Sequence, residues 1–513
     1  MHAFIVGLGI FLSRVAGLVR DRVFAHYLGN SDAADAFRAA FRIPNFLQNL
    51  FGEGVLSASF IPVYARLEAE GKRSEAAAVA GAIAGVLSLI VSVLVVAGIL
   101  AAPILIDAIA PGFSGEKKDL CVQLVKIFFP GAGILVFSAL CLGILNSHGK
   151  FFLSYTAPVL WNTMIIISHI VFGSRDEFRL AQWAAWGAVA GSLVQLLVQL
   201  PTTMRLLRDL RISLNVRLYD VRTVIRNFIP VFMSRGVVQI SGYIDSLLAS
   251  FLPTGAVAAL AYAQILYTLP VSLFGMSVSA AELPAMSRAT GGREDVKREL
   301  RMRLENGTRR IAFFIVPSVV GFLSLGDVIA SAIYQTGRFT HSDAVYVWTI
   351  LAGSTIGLLA ATLGRLYASA FYALRDTRTP LKFAFLRVVL ASALGYFAAL
   401  HLPTLLGISP RLGVVGITAA SGMCGWLEYI LLKKSISRHI GKTRVNPSYL
   451  LSLWLSSAAA AAAALIVKVT LDIRAPIFAA IPILGAYGLV YFAMAFAFKI
   501  PEIRNMKQFL KMR

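Results

Sequence analysis

The sequence is dominated by long apolar runs separated by short polar or basic stretches. A helix needs about 20 apolar residues to cross the hydrocarbon core of a bilayer. We count about fourteen apolar segments of that length, which predicts an all-α polytopic membrane protein. The segments cover residues 4–27, 33–63, 76–109, 120–145, 152–172, 180–206, 224–252, 256–286, 311–334, 344–374, 381–402, 414–432, 449–471 and 476–498.

We expect two of these segments to be interrupted. The second holds Pro44 and the pair Gly52 and Gly54, and the eighth holds Pro270. Proline removes a backbone donor and clashes with the preceding turn, so it kinks or ends a helix. We expect these four residues to be bending points.

Composition agrees with the apolar pattern. Of the 513 residues, 58% are hydrophobic and only 14% are charged, whereas a soluble domain has about 25% charged residues. The net charge of +22 would suggest a nucleic-acid partner in a soluble protein. Here the basic residues cluster after the sixth, eighth, tenth and twelfth segments and in the tail. The positive-inside rule therefore puts those loops and both termini in the cytoplasm, and no nucleic acid is expected.

Chemistry-bearing motifs are sparse. The three cysteines, Cys121, Cys141 and Cys424, lie far apart in apolar runs without metal-type spacing. We find no phosphate-binding glycine loop and no nucleophile motif. We therefore expect no enzyme activity, no cofactor and no metal site.

The stretch between the eighth and ninth segments has apolar residues at near-helical spacing with basic residues between them. Val296, Leu300, Leu304 and Ile311 form this pattern. It predicts a helix lying on the cytoplasmic leaflet, with a plain charged linker as the alternative.

The chain contains an internal repeat with offsets of 221–223 residues. Arg14 corresponds to Arg235, and Pro62 corresponds to Pro284. Both copies begin on the same side, so the repeat is parallel and predicts two six-helix lobes. We place the lobes at residues 1–212 and 213–440, with an appended helix pair at 441–513.

The first two segments carry charges in otherwise apolar helices. A charge at the centre of a membrane helix costs about 2.5–3.5 kcal/mol on insertion scales, so such residues face a wet cavity, a partner or a ligand. At 100° per residue, five residues of the second segment share one stripe; they are Asp35, Arg38, Arg42, Asn45 and Asn49.

The first segment adds Arg14, Arg20 and Asp21, of which Arg14 and Asp21 share a face. We expect the two charged stripes to line a cleft between the lobes. The second lobe would contribute Arg235, Asp245, Gln264, Glu282, Arg365 and Arg387.

Arginine in excess favours an anionic ligand, because its planar fork binds phosphate and keeps its charge. The alternative is that these arginines pair with Asp21, Asp32 and Asp35 and only tie helices together. The substrate-binding candidates are Arg14, Arg20, Arg38, Arg42, Asp35, Asn45 and Arg235.

Several motifs resemble the MurJ (MviN) lipid II flippase family, within the multidrug/oligosaccharidyl-lipid/polysaccharide exporter superfamily. They are Ser13–Asp21 (SRVAGLVRD), Asp35–Phe37 with Pro44-Asn45, Glu53-Gly54, Phe60–Pro62, Gly337–Thr340, Phe371–Leu374 and Asp376–Pro380.

The resemblance implies fourteen spans, with a groove for the lipid tail between the last two. It also implies transport of lipid II, the undecaprenyl-diphosphate-linked peptidoglycan precursor, from the cytoplasmic to the periplasmic leaflet by alternating access. The location would be the bacterial cytoplasmic membrane. The implied partners are lipid II or a related polyprenyl-diphosphate glycan, membrane lipids and cell-wall synthesis enzymes. Arg14 and Arg20 would match two cavity arginines, and Asp35 the second-helix aspartate.

The sequence departs from the family at two cavity positions. Gln48 and Ile265 stand where the family has arginine, and Arg38, Arg42 or Arg235 would have to restore that charge. Sodium coupling is not supported, because the eleventh segment has no Asn or Asp. The alternatives are a flippase for another polyprenyl-diphosphate glycan, such as an O-antigen unit, then a cation-coupled drug exporter, and last a non-transporting scaffold.

Overall fold

The computed structural model describes residues 2–51, 55–207, 211–288, 293–471, 473 and 475–503. About 86% of it is helical, which confirms the predicted all-α class. Contacts group the chain into two units. The first comprises residues 1–258 with 336–339, and the second comprises 259–335 and 340–513. This grouping is by contact and does not test the predicted lobe boundaries.

The first unit contains ten helices within the described ranges. They are α1 (His2–Leu28), α2 (Asp32–Phe51), α3 (Val55–Ser59), α4 (Ile61–Ala69), α5 (Arg73–Leu100), α6 (Ala102–Ile109), α7 (Gly115–Ser147), α8 (Phe151–Phe172), α9 (Glu177–Leu206) and α10 (Tyr219–Ser250).

Helix α7 is the central helix of this unit. It packs against α2 and α9, while α8 packs against α9 and α1. In the most apolar stretch of α7, 78% of the residues are buried by protein, against 28% for α5. The two helices are therefore apolar for different reasons: α7 forms protein core, and α5 presents apolar side chains outward.

The other helices follow in chain order. They are α11 (Ala256–Pro270), α12 (Ser277–Ser287), α13 (Arg293–Tyr334), α14 (His341–Thr355), α15 (Leu358–Ala373), α16 (Arg378–Leu400), α17 (Leu402–Leu406), α18 (Gly413–Ile440), α19 (Pro447–Thr470) and α20 (Pro476–Ala497). A π-helical stretch, Val271–Met276, joins α11 to α12.

In the second unit, α13 packs against α14, α15, α19 and α20, and α18 packs against α15 and α16. Two apolar clusters join α13 to the C-terminal pair α19 and α20. The pair is thus fixed to the long helix α13.

Ten helices of the described chain are long and apolar enough to cross a membrane, or eleven when the bent pair α14–α15 counts as one span. This shows a multi-pass membrane protein. Helices α1, α2 and α10 are outside that set. Adding these three to the eleven would give the predicted fourteen, so the exact count stays a prediction.

Two predicted features differ from the structure. Pro44 does not break the second segment, because α2 continues through it to Phe51. The amphipathic stretch from Val296 is not a separate surface helix but the first part of the 42-residue α13. Its apolar residues Leu300 and Leu304 are buried by protein, so the stripe reflects helix packing.

Candidate functional site

A buried carboxylate, that of Asp21 in α1, is the centre of a charged cluster in the first unit. Arg20 Nη2 lies 3.1 Å from Asp21 Oδ1, and Arg38 Nη1 of α2 lies 3.0 Å from the same oxygen. Asp21 is 3% exposed. Two guanidinium groups share one carboxylate, so the cluster has one positive charge in excess.

Aromatic rings surround the two guanidinium groups. The Arg20 guanidinium lies 5.6 Å from the Phe41 ring and 5.7 Å from the Trp161 ring, and that of Arg38 lies 4.3 Å from the Phe24 ring. The negative face of an aromatic ring attracts a cation, more strongly where water is excluded. The rings therefore offset part of the cost of burying the arginines.

Helix α8 fixes the orientation of Arg20. Arg20 Nη1 donates to Asn162 Oδ1 at 3.0 Å, and Asn162 Nδ2 donates to the carbonyl of Pro158, one turn earlier, at 3.0 Å. The amide is held by its own helix, so its oxygen faces the guanidinium. Arg20 keeps 16% of its side chain exposed, so it can still touch a ligand.

A second cluster lies at the start of α2. Asp35 is 1% exposed and accepts from Lys117 Nζ at 2.6 Å. It also accepts from the backbone N–H groups of Gly255 at 2.8 Å and Ala258 at 2.7 Å. Lys117 contacts Asp32 as well, at 2.8 Å. Both carboxylate oxygens of Asp35 accept hydrogen bonds from protein groups. In this conformation Asp35 therefore links α2 to α7 and to the start of α11.

Arg42 links α2 to α10. Its Nη1 donates to the carbonyl of Gly242, and Tyr243 Oη donates to the Arg42 carbonyl at 2.9 Å. The stripe predicted on α2 therefore has three different partners. Asp35 contacts α7, Arg38 contacts α1 and Arg42 contacts α10. The contacts of Asp35 and Arg38 are those of the alternative considered from the sequence, in which charged residues pair with one another and hold helices together.

Arg14 differs from the other arginines, because it is exposed. It makes no hydrogen bond or ion pair with any described residue, and it lies six residues, about 9 Å along the helix, before Arg20. Asn45 is half-buried. Among the arginines of the predicted set whose side chains the structure describes, Arg14 is the most exposed.

Some predicted positions are outside the described residues. Gly52 and Gly54 are among them, and so are the side chains of Pro44, Gln48 and Arg235. Pro270 is described, and the π-helical stretch begins directly after it. The regular α-helix of the eighth segment is therefore interrupted after Pro270, where the backbone forms a wider π-helical turn before α12 begins.

Two charges assigned to the second lobe are engaged within the second unit. Glu282 is 5% exposed and contacts Arg303 and Arg310 of α13, both at 3.3 Å. Arg387 of α16 contacts Glu428 of α18 at 3.0 Å. Arg365 is exposed. Glu282 is thus a structural anchor of α12 on α13.

Sequence reasoning missed Lys117, Asn162 and Trp161, because their partners lie on other helices. It also missed a contact with α1 of residues 336–339, called here the 336–339 motif, which overlap the Gly337–Thr340 motif named above. His26 Nδ1 lies 2.8 Å from Thr336 Oγ1, and the Arg338 N–H donates to the His26 carbonyl at 2.9 Å. The only signal in the sequence was the glycine at position 337, whose left-handed φ of +54° favours that residue.

Metal-type clusters do not occur within the described ranges, where no three His, Cys, Asp or Glu side chains are grouped to hold an ion.

Comparison with known proteins decides the family. The family model described as "Lipid II flippase MurJ" matches residues 24–497. The chain belongs to the MurJ family. The family model's match begins after Arg14 and Arg20.

Curated MurJ relatives match most of the chain. A protein of Vibrio cholerae named "Probable lipid II flippase MurJ" is 31% identical over 84% of this chain and 82% of its own length. One from Rhizobium tropici with the same name is 30% identical over 83% and 78%. "Lipid II flippase MurJ" of Burkholderia cenocepacia is 29% identical over 82% and 80%.

Solved structures share the fold. One titled "Lipid II flippase MurJ, inward closed conformation" gives a TM-score of 0.77 at 24% identity, covering 98% of this chain and 100% of that chain. An inward-facing multidrug resistance MATE transporter gives 0.67 at 19% identity, covering 83% and 95%. The MurJ fold thus extends over essentially the whole chain.

Proposed function

We propose that this protein moves lipid II from the cytoplasmic to the periplasmic leaflet by alternating access. The observation that carries the proposal is the family match over residues 24–497. The excess positive charge of the Arg20–Asp21–Arg38 cluster agrees with it, because lipid II carries a diphosphate. A transporter of this kind forms no covalent intermediate, so the protein acts by binding and changing conformation.

In this proposal Arg14 and Arg20 bind the diphosphate. Arg14 is exposed and lacks a competing carboxylate among the described residues, while Arg20 shares Asp21 with Arg38. A guanidinium binds phosphate oxygens through two parallel N–H donors. Arg42 would join them after releasing the Gly242 carbonyl. Asp21, Asp35 and Arg38 then hold α1 and α2 in place.

The proposal includes orientation and movement. The protein lies in the bacterial cytoplasmic membrane, and the positive-inside rule supports an orientation with the basic loops and both termini in the cytoplasm. Two lobes related by the repeat rock about the bend at Pro270. The pair α19 and α20 accommodates the lipid tail, and cell-wall synthesis enzymes deliver or receive the substrate.

The test is growth of a bacterium depleted of its own MurJ and supplied with this protein. Wild type is expected to restore growth, and Arg14→Ala and Arg20→Ala are expected to fail at equal membrane abundance. Arg175→Ala is the control, because Arg175 is exposed in the first unit outside the charged clusters. Failure of an abundant wild-type protein, or full growth with both Arg14→Ala and Arg20→Ala, would refute the proposal.

A further inference from the structure

A cavity of about 430 Å³ lies in the second unit where α13, α19 and α20 meet. Helix α13 contributes Arg309, the segment before α19 contributes Arg444, and the segment after α20 contributes Lys499. Tyr449, Phe498 and Ile500 line its apolar side. The cavity is distinct from the arginine cluster of α1 and α2.

The charge of the cavity is positive. Three cationic side chains and one carboxylate, that of Glu305, line it, which gives a net +2 (three minus one). The Glu305 carboxylate is engaged, since Oε1 accepts from the backbone N–H of Arg444 at 2.7 Å. Arg444 and Lys499 are exposed and form no ion pair with a described residue. Two cations are thus available to an anion.

Arg309 is held in a fixed position at the inner wall. Its Nε lies 3.5 Å from Glu502 Oε1, and its guanidinium lies 4.9 Å from the centre of the Tyr449 ring. Tyr449 Oη also donates to the Arg309 carbonyl at 3.0 Å. Because the Tyr449 ring already faces a cation, it is poorly suited to receive the quaternary ammonium of a choline headgroup.

Helix length and the apolar pattern lead us to infer that the cavity lies at the depth of lipid headgroups. Helix α13 has 42 residues, or about 63 Å at 1.5 Å per residue, which is about twice the thickness of the hydrocarbon core. Its apolar run starts at Ile311, two residues after Arg309. Helix α19 begins at Pro447 and α20 ends at Ala497 beside the same cavity. The charged residues that line the cavity therefore lie at the ends of the apolar parts of α13, α19 and α20.

We propose that this cavity binds the phosphate group of an anionic phospholipid. Arg444 and Lys499 contact the phosphate oxygens, Arg309 supplies a fixed positive charge behind them, and Phe498 and Ile500 contact the glycerol and the first acyl carbons. The bound lipid would hold the pair α19 and α20 against α13. This inference is independent of lipid II transport.

The test uses the purified full-length protein in detergent and follows its unfolding temperature. The additions are phosphatidylglycerol, phosphatidylcholine at equal mole fraction, and inorganic phosphate. The variants are the double substitution Arg444→Gln/Lys499→Gln and the control Lys442→Gln. Lys442 is exposed two residues before Arg444 and is not part of the cavity wall.

Phosphatidylglycerol is expected to raise the unfolding temperature of wild type and Lys442→Gln equally, and phosphatidylcholine to raise it much less. The double variant should unfold at the wild-type temperature without lipid. It should then need about tenfold more phosphatidylglycerol for the same rise, because two charge-assisted contacts are lost.

Any one of four results would overturn the proposal. The double variant could respond like wild type, Lys442→Gln could lose the response equally, or phosphatidylcholine could act as well as phosphatidylglycerol. An equal rise with inorganic phosphate alone would assign the phosphate chemistry to a soluble ligand and would overturn a lipid site. None of these outcomes depends on whether the protein restores growth.

Discussion

The Thr254 hydroxyl donates a hydrogen bond to the Asp32 carboxylate at 2.9 Å across 222 positions of sequence. That separation equals the offset of the predicted repeat, in which Pro62 corresponds to Pro284. Each residue lies at or just before the start of a helix, α2 or α11. The contact therefore links the start of α2 to the segment before α11 within the first unit. The repeat itself stays a prediction.

The Lys117 ammonium neutralises the buried Asp35 beside that contact. Lys117→Met should lower the free energy of unfolding by about 3 kcal/mol, since it leaves a buried carboxylate without its cation. We place it at the lower end of the range because the Gly255 and Ala258 N–H groups still donate to Asp35. Reversible unfolding in mixed micelles would measure the change.

Lys118→Met is the matched control for this substitution. Lys118 pairs with Asp107, whose side chain is 57% exposed, and exposed pairs contribute about 0–1 kcal/mol. Equal losses for Lys117→Met and Lys118→Met would show that Asp35 does not depend on its lysine.

Asp21 and Arg38 should be energetically coupled. Asp21→Asn leaves two guanidinium groups without a shared carboxylate and should destabilise the protein by about 3 kcal/mol. Adding Arg38→Gln should recover part of that loss, because one of the two uncompensated cations is removed. The double-mutant cycle should give a coupling of about 1–3 kcal/mol, and strict additivity would argue against the cluster.

Gly337→Ala tests the contact between the 336–339 motif and α1. Gly337 has φ of +54°, and a Cβ there would overlap with the His26 carbonyl oxygen. Gly407 has a similar φ of +63° but no atom within 4 Å of its would-be Cβ. Both alanine substitutions incur the left-handed penalty of about 1–2 kcal/mol.

Only Gly337→Ala adds a clash. Its unfolding temperature should therefore fall clearly further than that of Gly407→Ala. A larger fall for Gly407→Ala would mean that the motif does not rest against His26.

The loop before α16 should respond to acid. Hydrogen bonds from the Thr379 hydroxyl, at 2.6 Å, and from the Thr379 and Arg378 N–H groups hold the pKa of Asp376 below its ordinary value of 3.8. The carboxylate therefore contributes stability at pH values above about 4, and that contribution is lost as the pH falls through the lower, folded-state pKa.

Asp376→Asn is the test of this titration. The variant should unfold at a lower temperature than wild type at pH 6, and the difference should shrink as the pH is lowered to 3. A difference that stays constant over that range would contradict the role of the charge.

The helices that the sequence predicted well are those whose apolar length is fixed by the bilayer. The predicted 152–172 is α8, Phe151–Phe172, because the boundary between apolar and polar residues is sharp there. The ninth segment was predicted to start at Ile311, whereas α13 begins at Arg293 in a charged stretch. Hydropathy identifies the apolar part of a helix and does not detect its charged extension.

The candidate site was predicted as a set of residue types but not as contacts. Helical phase grouped Asp35, Arg38 and Arg42 on one stripe of α2. It could not show that their partners lie 82, 17 and 200 residues away. Such pairings are fixed by tertiary packing, and a single sequence carries no local signal for them. Among the described candidates, Arg14 is exposed and Arg20 keeps 16% of its side chain exposed, as expected of ligand contacts.

The π-helical stretch after Pro270 changes which side chains of its span lie on the same helix face. Gln264 and Glu282 are 18 residues apart, and five regular turns would put them on one face. The π-helical stretch holds about one extra residue per turn, which shifts the phase by roughly 100°. Glu282 accordingly faces the arginines of α13. The π-helical stretch therefore separates the face that α11 presents from the face that α12 presents. A substitution on one of these helices need not affect the contacts of the other.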